Sequence, residues 1–188
     1  MQRFAEILAT AGVERGLIGP REVDRLWERH LLNCAAPLSR VPENATVADV
    51  GAGAGLPGMV WAIARPDLQV TLIEPLLRRT TFLDEVAEEL GLDNVTVLRA
   101  RAEDVTEQFD IVTARAVAAL EKLARWCMPL VKPGGYLLAL KGRSAADEVN
   151  TARRTLNRLH AGDIVVTTYG EDWDLEVPTT VVEVQRRR

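Results

Sequence analysis

The chain has 188 residues, the length of one compact domain, and 47% of them are hydrophobic, which excludes a disordered protein. Its 23 Lys and Arg residues against 27 Asp and Glu residues give a formal net charge of −4, which argues against nonspecific coating of nucleic acid but allows a local basic face. The two cysteines form neither a disulfide framework nor a CxxC metal pair, so we expect a reducing compartment.

Residues 1–42 predict a helical cap. Apolar residues recur at helical spacing over residues 4–11 and predict a first helix. A second helix is expected to open at Pro20 and to close at Pro37 and Pro42, because proline is tolerated at the start of a helix and not in its interior. Trp27 lies on the apolar face of this second helix, so we interpret it as packing within the cap.

From residue 43 onward the pattern changes to short apolar segments that alternate with helical ones. The strands are predicted at residues 46–50, 69–74, 94–100, 109–115, 134–142, 163–169 and 179–185. The helices are predicted at residues 56–65, 77–91, 117–131 and about 145–160. Alternation of this kind indicates parallel βα units, and strands that are apolar throughout indicate a sheet covered on both faces.

The last two strands have no helix between them, which predicts an antiparallel hairpin at the edge of the sheet. The predicted fold is therefore α/β: a doubly wound, mostly parallel, seven-stranded Rossmann-like sheet with an antiparallel C-terminal edge hairpin and a short N-terminal helical cap. We expect one domain over residues 1–188, made of the cap and a core at residues 43–188.

A glycine-rich stretch, VADVGAGAGLPG at residues 47–58, directly follows the first predicted strand. Its Gly51, Gly53 and Gly55 have the spacing G-x-G-x-G, whereas a dinucleotide loop needs a glycine where Leu56 stands. No Lys followed by Ser or Thr comes after the stretch, which excludes a phosphate loop of the nucleotide-hydrolase type.

Three acids accompany these glycines. Asp49 completes the pattern D-x-G-x-G-x-G, which is typical of S-adenosyl-L-methionine (AdoMet) dependent methyltransferases of the doubly wound class. Glu74 ends the second strand about twenty residues later, the place for a carboxylate on ribose hydroxyls. We expect Glu103, with Ala102 before it, to lie beside the adenine. A nicotinamide-dependent Rossmann protein, or a plain βα turn with surface acids, is the alternative.

Several further motifs resemble one methyltransferase family in content and order. They are DVGAGAGLPG, an acid followed by an R-R helix start and FL, then RAED, FDIVTARA, WCMPL and LLALKG. Over nearly the whole chain these resemble the RsmG (glucose-inhibited division protein B) family, whose members methylate N7 of a guanine in 16S ribosomal RNA. WERHLLN at residues 27–33 resembles the family's R-H-x-x-[DN] segment. GVERGLIGP stands where the family carries W-N-x-x-x-N-L-T, which is a departure.

The residues agree with the chemistry that this resemblance implies. The chain has no N-P-P-Y motif for an exocyclic amine and no Pro-Cys nucleophile. Guanine N7 presents a lone pair at neutral pH, so its methylation needs alignment with the methyl group and no general base.

The ribosomal RNA interpretation predicts a basic rim around the ligand crevice, formed by Arg78, Arg79, Arg99, Arg101, Lys141 and Arg143. A small-molecule AdoMet-dependent methyltransferase is one alternative, and it predicts an enclosed apolar pocket in place of this rim. A non-enzymatic nucleotide-binding module is another, and it would have no affinity for AdoMet.

Three cations are the candidate catalytic residues. By resemblance Arg115, at the end of the fourth strand, contacts AdoMet and the reaction centre, although it could instead pair with a surface acid. Arg101 could stack on or pair with the guanine, or could be a solvated loop residue. Lys141 ends the fifth strand and is a candidate phosphate contact.

Four residues are weaker candidates for contact with the substrate, and they are His30, Asn33, Arg78 and Arg143. A histidine on an apolar helix face is more often a core residue than a site residue, and the family resemblance brings the two interpretations of His30 level. Arg78 could be plain solvated charge. We expect the partner to be 16S ribosomal RNA within the small ribosomal subunit or its assembly intermediate. We expect a cytoplasmic monomer with no metal and no membrane segment, because no apolar run reaches about 18 residues.

Overall fold

A mixed sheet runs through the centre of the protein in the computed structural model, which describes residues 1–173 and 175–188. Its strands are β1 Thr46–Val50, β2 Gln69–Ile73, β3 Val95–Leu98, β4 Phe109–Arg115, β5 Val131–Lys141, β6 Ala161–Tyr169 and β7 Thr179–Arg186. Within these described residues the sheet has seven strands in the order β3-β2-β1-β4-β5-β7-β6. β1 to β5 pair in parallel, and β7 pairs antiparallel with both β5 and β6. The predicted fold class is thereby confirmed.

The helices cover both faces of the sheet. They are α1 Gln2–Ile7, α2 Asn33–Ala35, α3 Gly58–Ala64, α4 Leu77–Leu90, α5 Leu120–Cys127 and α6 Ala145–Arg158. The chain builds outward from β1 to β3 and then crosses back to place β4 beside β1, so the strand order reverses between β1 and β4. In open α/β sheets ligands bind outside the carboxyl ends of the strands at such a reversal.

The protein has a hydrophobic core on each face of the sheet, and alternate residues of a strand pack into different cores because successive side chains point to opposite faces. Val47 and Ile111 belong to the core on the face of α3 and α4, whereas Ala48 and Val112 belong to the core on the face of α5 and α6. Phe4 of α1 is fully buried in the first of these cores, so the cap extends the core on that face.

The cap is helical as predicted but is wound irregularly. Its second helical region runs through a 3₁₀ segment Pro20–Arg25, a π-helical segment Leu26–Leu32, α2 and a 3₁₀ segment Ala36–Arg40. Of the two prolines expected to close this region, Pro37 does not, because it occupies the first turn of that last segment, where its missing N–H is tolerated, whereas Pro42 follows the end of the segment at Arg40. The packing predicted for Trp27 is also wrong, since its side chain is 42% exposed. A π-helical turn holds more residues than an α-helical turn, so spacing based on 3.6 residues misplaces this side chain.

Two element boundaries around α5 also differ from the prediction. The expected helix over residues 117–131 is shortened to Leu120–Cys127, and a 3₁₀ turn at Met128–Leu130 follows it. Pro129 explains the change, because it cannot donate the hydrogen bond that an α-helix would need. β5 therefore begins at Val131, three residues before the predicted start at Gly134. Among residues 1–173 and 175–188, no helix is both long and apolar enough to span a bilayer.

Candidate active site

The loop after β1 is held by a buried carboxylate. Oδ2 of Asp49 accepts a hydrogen bond from the backbone N–H of Gly58 at 2.7 Å, which ties the start of α3 to β1. A Cβ at Gly58 would lie 2.5 Å from Leu72 Cδ2, so only glycine fits there. The sequence prediction used Gly58 only to exclude a phosphate loop. The signal available was a carboxylate nine residues before a glycine that opens a helix.

Asp49 is fully buried, and its other oxygen, Oδ1, has no hydrogen-bond partner within the described residues. Burial is the main cause that raises the pKa of Asp49 to about 7; the negative charge of Glu74 acts in the same direction, and the Gly58 N–H and Arg115 oppose the rise. The carboxylate lies beneath the glycine loop and acts on the loop backbone. Unsatisfied buried acceptors are rare in folded proteins, and a buried carboxyl group with a raised pKa is a candidate for a functional site.

The three loop glycines differ in what they do. All have positive φ, at 71° for Gly51, 57° for Gly53 and 90° for Gly55. A Cβ at Gly51 would lie 2.8 Å from Val117 Cγ2, whereas a Cβ at Gly53 would meet nothing nearer than 3.7 Å. A Cβ at Gly55 would lie 2.8 Å from Met59 Cβ, so this glycine serves core packing, and Leu56 also packs on that core.

A cleft of about 560 Å³, here called the first cleft, opens where β1, β2 and β3 end. The predicted cofactor residues that line it are Gly51, Glu74, Ala102 and Glu103. Ile73, Val117 and Trp126 add apolar walls. A polar edge beside apolar walls is the surface that a nucleoside needs.

Glu74 provides the buried charge of the first cleft. Its Oε2 accepts the Gly53 N–H at 3.1 Å, and its Oε1 accepts the Leu76 N–H at 3.1 Å. Arg79 Nη1 lies 3.4 Å from Oε2, and the buried Nε of Arg79 has no partner within residues 1–173 and 175–188. Each carboxylate oxygen can accept a second hydrogen bond, so Glu74 can hold a ligand hydroxyl while it holds the loop.

A neighbouring cleft of about 570 Å³, here called the second cleft, lies between the cap and the ends of β4 and β5. Its cationic and polar lining includes Arg29, His30, Asn33, Arg115, Lys141 and Arg143. Ala116, directly after β4, lines both clefts and has a positive φ of 55°. A non-glycine residue in this conformation is strained, and such strain concentrates at functional sites.

Arg115 points from the end of β4 toward the cap. Its Nη1 lies 3.2 Å from Cys34 Sγ, and its Nη2 lies 3.0 Å from the Arg29 carbonyl oxygen and 3.0 Å from His30 Nδ1. Burial raises the pKa of Cys34 to about 11, so this sulfur stays a neutral thiol at physiological pH. The three contacts hold the guanidinium at the rim of the second cleft.

Lys141 is tied into the fold more tightly than the sequence suggests. Its ammonium donates to the Ala118 carbonyl at 2.6 Å and to Glu148 Oε2 at 2.8 Å, and its side chain is only 9% exposed. Burial alone would raise the pKa of Glu148, but hydrogen bonds from Lys141 and from the Leu120 N–H bring it below its ordinary value. The predicted phosphate contact by Lys141 would have to compete with these partners.

The structure separates residues that the sequence predicted together. Arg101 lines the first cleft, whereas Arg115 and Lys141 line the second. Arg78 lines neither of them and lies exposed at the start of α4, beside Arg15. The separation arises because these residues follow different strands, whose order in the sheet is not their order in the chain.

The side chain of Asn33 is also engaged within the fold, because its Nδ2 donates hydrogen bonds to the Glu28 and Val177 carbonyls. Two residues at this site were missed by sequence reasoning. Ala116 gives no sequence signal, because positive φ is not encoded by alanine. Glu22 lies eight residues before His30, and this spacing of about two helical turns could have suggested the pair.

Comparison with known proteins gives a family match over most of the chain. The model of the family described as rRNA small subunit methyltransferase G (GidB) matches residues 1–174. A protein named ribosomal RNA small subunit methyltransferase G from Nocardioides sp. is 58% identical over 97% of this chain and 74% of its own length. The protein of that name from Pseudarthrobacter chlorophenolicus is 54% identical over 97% of this chain and 85% of its own length.

Solved structures resemble the fold at low sequence identity. A predicted O-methyltransferase from Agrobacterium tumefaciens has a TM-score of 0.64 and 22% identity, and the match covers 85% of this chain and 82% of that one. Precorrin-6y C5,15-methyltransferase from Geobacter metallireducens has a TM-score of 0.58 and 15% identity, with 90% of each chain covered. These likenesses show a Rossmann-like methyltransferase fold and nothing finer.

Proposed function

The chain belongs to the rRNA small subunit methyltransferase G family, and we propose that it transfers a methyl group from AdoMet to N7 of a guanine in 16S ribosomal RNA. The observation that carries the proposal is the position of Ala116, which lines both clefts. A nucleoside cofactor in the first cleft and a base in the second would meet at this residue. The family supports ribosomal RNA as the substrate and does not favour the small-molecule alternative.

The first cleft suits AdoMet through residues with separate tasks. Glu74 would accept hydrogen bonds from ribose hydroxyls, and the unpaired Nε–H of Arg79 would donate one to the ligand. Ile73, Val117 and Trp126 would cover the adenine, with Glu103 and Arg101 at its edge. When bound, AdoMet supplies an electrophilic methyl group on a sulfonium centre.

The second cleft suits a nucleotide because cations from several elements meet there. Arg29 comes from the cap, Arg115 from β4, and Arg143 from the turn after β5. We propose that Arg115 is the catalytic residue that contacts the guanine, and that Arg143 contacts the RNA backbone. N7 carries a free lone pair, so these residues need only to align the base and exclude water. We assign Arg101 to the first cleft and therefore to the cofactor.

The polar lining of the second cleft also bears on the alternative. Besides its arginines it presents the carboxylates of Glu22, Glu28 and Glu148. An enclosed apolar pocket, which a small apolar acceptor would need, is not what these residues form. In this proposal the protein acts as a monomer, because residues of one chain line both clefts. It acts in the cytoplasm, where ribosomes assemble.

The proposal is tested with purified protein, radiolabelled AdoMet and small ribosomal subunits from a strain that lacks the gene. We expect label in 16S RNA, on a single guanine, at a site that becomes sensitive to cleavage after N7 methylation. Subunits from a strain that retains the gene are the control, and they should accept little label. Label in a small molecule of the extract and none in RNA would contradict the proposal. Light scattering of the protein, alone and with AdoMet, tests the monomer.

A further inference from the structure

Every hydrogen-bond partner of the Arg115 guanidinium within the described residues comes from the cap. The sulfur of Cys34, the carbonyl of Arg29 and the ring of His30 all belong to the helical region between residues 20 and 40. Arg115 itself belongs to β4 in the methyltransferase sheet. The cap therefore holds the side chain that the sheet presents to the second cleft.

The contact between Arg115 and His30 fixes where the imidazole carries its proton. A guanidinium has only N–H donors, so His30 Nδ1, at 3.0 Å from Arg115 Nη2, must be the acceptor. The proton of a neutral ring then lies on Nε2, which faces Glu22 Oε2 at 2.9 Å and donates to it. The ring links a carboxylate on one side to a guanidinium on the other, as in a carboxylate–histidine pair that orients a catalytic group.

The surroundings favour the neutral ring. Burial lowers the pKa of His30, the positive charges of Arg115 and Arg29 lower it further, and Glu22 partly opposes the shift. A protonated ring would present an N–H to Arg115 in place of an acceptor, so the link requires the neutral form.

We propose that Glu22 is a positioning residue that acts through His30 to hold the Arg115 guanidinium at the second cleft. This inference rests on the proposed function, because it assumes that Arg115 contacts the substrate base. Two donors of Arg115, the Nε–H and one Nη1–H, have no partner within residues 1–173 and 175–188, and these remain available to the substrate. Glu22 and His30 orient them without touching the base.

The geometry explains why a cap of irregular helix suits this task. Glu22 belongs to the 3₁₀ segment Pro20–Arg25, and His30 to the π-helical segment Leu26–Leu32. The Glu22 side chain is 38% exposed and that of His30 is 16% exposed, so Glu22 lies at the surface. We therefore expect the fold to tolerate substitution of Glu22.

The first test is a spectrum of the wild-type protein that needs no substrate. A long-range ¹H–¹⁵N spectrum reports the tautomer of each imidazole, and the chain has only His30 and His160. His160 precedes β6, whose first residue pairs with Arg186 at the end of β7, away from Thr179 and Thr180 that line the second cleft, so His160→Gln leaves one signal to assign. We expect His30 to be neutral with its proton on Nε2 near neutral pH. A proton on Nδ1, or a doubly protonated ring, would overturn the proposal.

The second test compares single-turnover methylation at saturating AdoMet and subunits. Glu22→Ala should lower the rate constant about tenfold or more, because a hydrogen bond that orients a charged group is lost, and calorimetry should show unchanged AdoMet affinity. Asp24→Ala removes the same charge from an exposed position of the same segment and should behave as the wild type. His30→Gln retains both an acceptor and an N–H donor and should lose less than His30→Phe.

The outcomes separate this proposal from the proposed function. If wild-type protein fails to methylate subunits while His30 shows the Nε2–H tautomer, the proposed function fails and the hydrogen-bonded link stands. If wild-type protein methylates subunits and Glu22→Ala is equally fast, the positioning role of Glu22 is wrong. Should Glu22→Ala lose its fold in circular dichroism, equal rates for His30→Gln and His30→Phe would contradict the proposal and unequal rates would support it.

Discussion

At the scale of single residues, Asp49 combines complete burial with a carboxylate oxygen that lacks a partner among the described residues. Its pKa of about 7 lies well above the ordinary value of 3.8, so the fold favours the protonated form. For a carboxyl group whose pKa is raised by folding, stability is greatest below the unfolded pKa and declines as pH rises to the folded pKa. The destabilisation from Asp49 is then complete above about pH 7.

Asp49→Asn removes this dependence on pH. Between pH 5.5 and 8, ionisation of Asp49 should cost the wild type about 2 kcal/mol of unfolding free energy, and the variant should not show that loss. Urea denaturation of both proteins without AdoMet, at each of these pH values, measures the difference. Asp67→Asn is a useful contrast, because hydrogen bonds from Arg65 and Asn44 hold the pKa of Asp67 low. If the unfolding free energies of the wild type and of Asp49→Asn change equally with pH over this range, Asp49 does not titrate there.

The loop glycines allow a second comparison between single residues. Gly51→Ala and Gly53→Ala should each lose about 1–2 kcal/mol of stability, because both have positive φ. Only the methyl group of Gly51→Ala presses on Val117, a wall of the first cleft. We expect Gly51→Ala to weaken AdoMet binding about tenfold and Gly53→Ala to weaken it much less, as measured by calorimetry. Equal losses would mean that backbone strain, and not the space beside Val117, limits binding.

At the scale of elements, Lys141 joins three parts of the fold at the carboxyl end of β5. Its ammonium reaches the turn before α5 through Ala118 and reaches α6 through Glu148. Glu148 in turn accepts the N–H of Leu120, the first residue of α5. The ion pair therefore ties the start of α5 and the first turn of α6 to the end of β5, where Lys141 and Glu148 line the second cleft.

Lys141→Met should destabilise the protein by about 2–3 kcal/mol, because it leaves the half-buried Glu148 carboxylate without its cation. Glu148→Gln and the double variant complete a double-mutant cycle. Either substitution should lower the unfolding free energy less when the other is already present than when it is made in the wild type. The difference in unfolding free energy between the wild type and Lys141→Met should shrink as pH falls. The pKa of Glu148 is lowered in the folded state, so protonation of Glu148 removes the stability that its ion pair contributes. A variant with unchanged stability and a weaker salt dependence of RNA binding would restore Lys141 as a phosphate contact.

At the scale of the whole molecule, a chain with a net charge of −4 must bind a polyanion through local charge. The arginines around the second cleft supply that charge, whereas Arg79 and Lys141 are engaged with Glu74 and Glu148. The basic rim expected from the sequence comprises Arg78, Arg79, Arg99, Arg101, Lys141 and Arg143. Of these, only Lys141 and Arg143 line the second cleft, where Arg29 of the cap and Arg115 of β4 join them.

Arg143→Ala tests this local charge. Arg143 is exposed at the second cleft, so its loss should make the slope of log affinity for RNA against log salt shallower by about 0.7–0.9, the value for one phosphate contact. Arg153→Ala removes an exposed arginine from the middle of α6 and should leave the slope unchanged. Filter binding across a salt series measures both. An equal change in the two variants would mean that net charge, and not the second cleft, governs binding.

Much of this architecture is determined locally. The βα alternation, the apolar strands and the glycine loop after β1 depend on short-range patterns, so the sheet, its antiparallel edge and the region of the first cleft could be predicted. Gly91 shows how far local rules reach, because it ends α4 with a φ of 61° where its lack of a side chain predicts a helix end. The irregular cap and the short α5 escaped prediction, because π-helical winding and the 3₁₀ turn at Pro129 change the spacing of side chains.

Only the tertiary structure decided which charged residues meet. The sequence contains Arg101, Arg115 and Lys141 as equivalent cations at strand ends, but strand order places the first at one cleft and the others at its neighbour. Burial and partners then divide them further, because Lys141 is paired with Glu148 while Arg115 is held by His30. Local patterns determine where the chain turns, whereas the partners of a side chain depend on elements that are distant in sequence and adjacent in the fold.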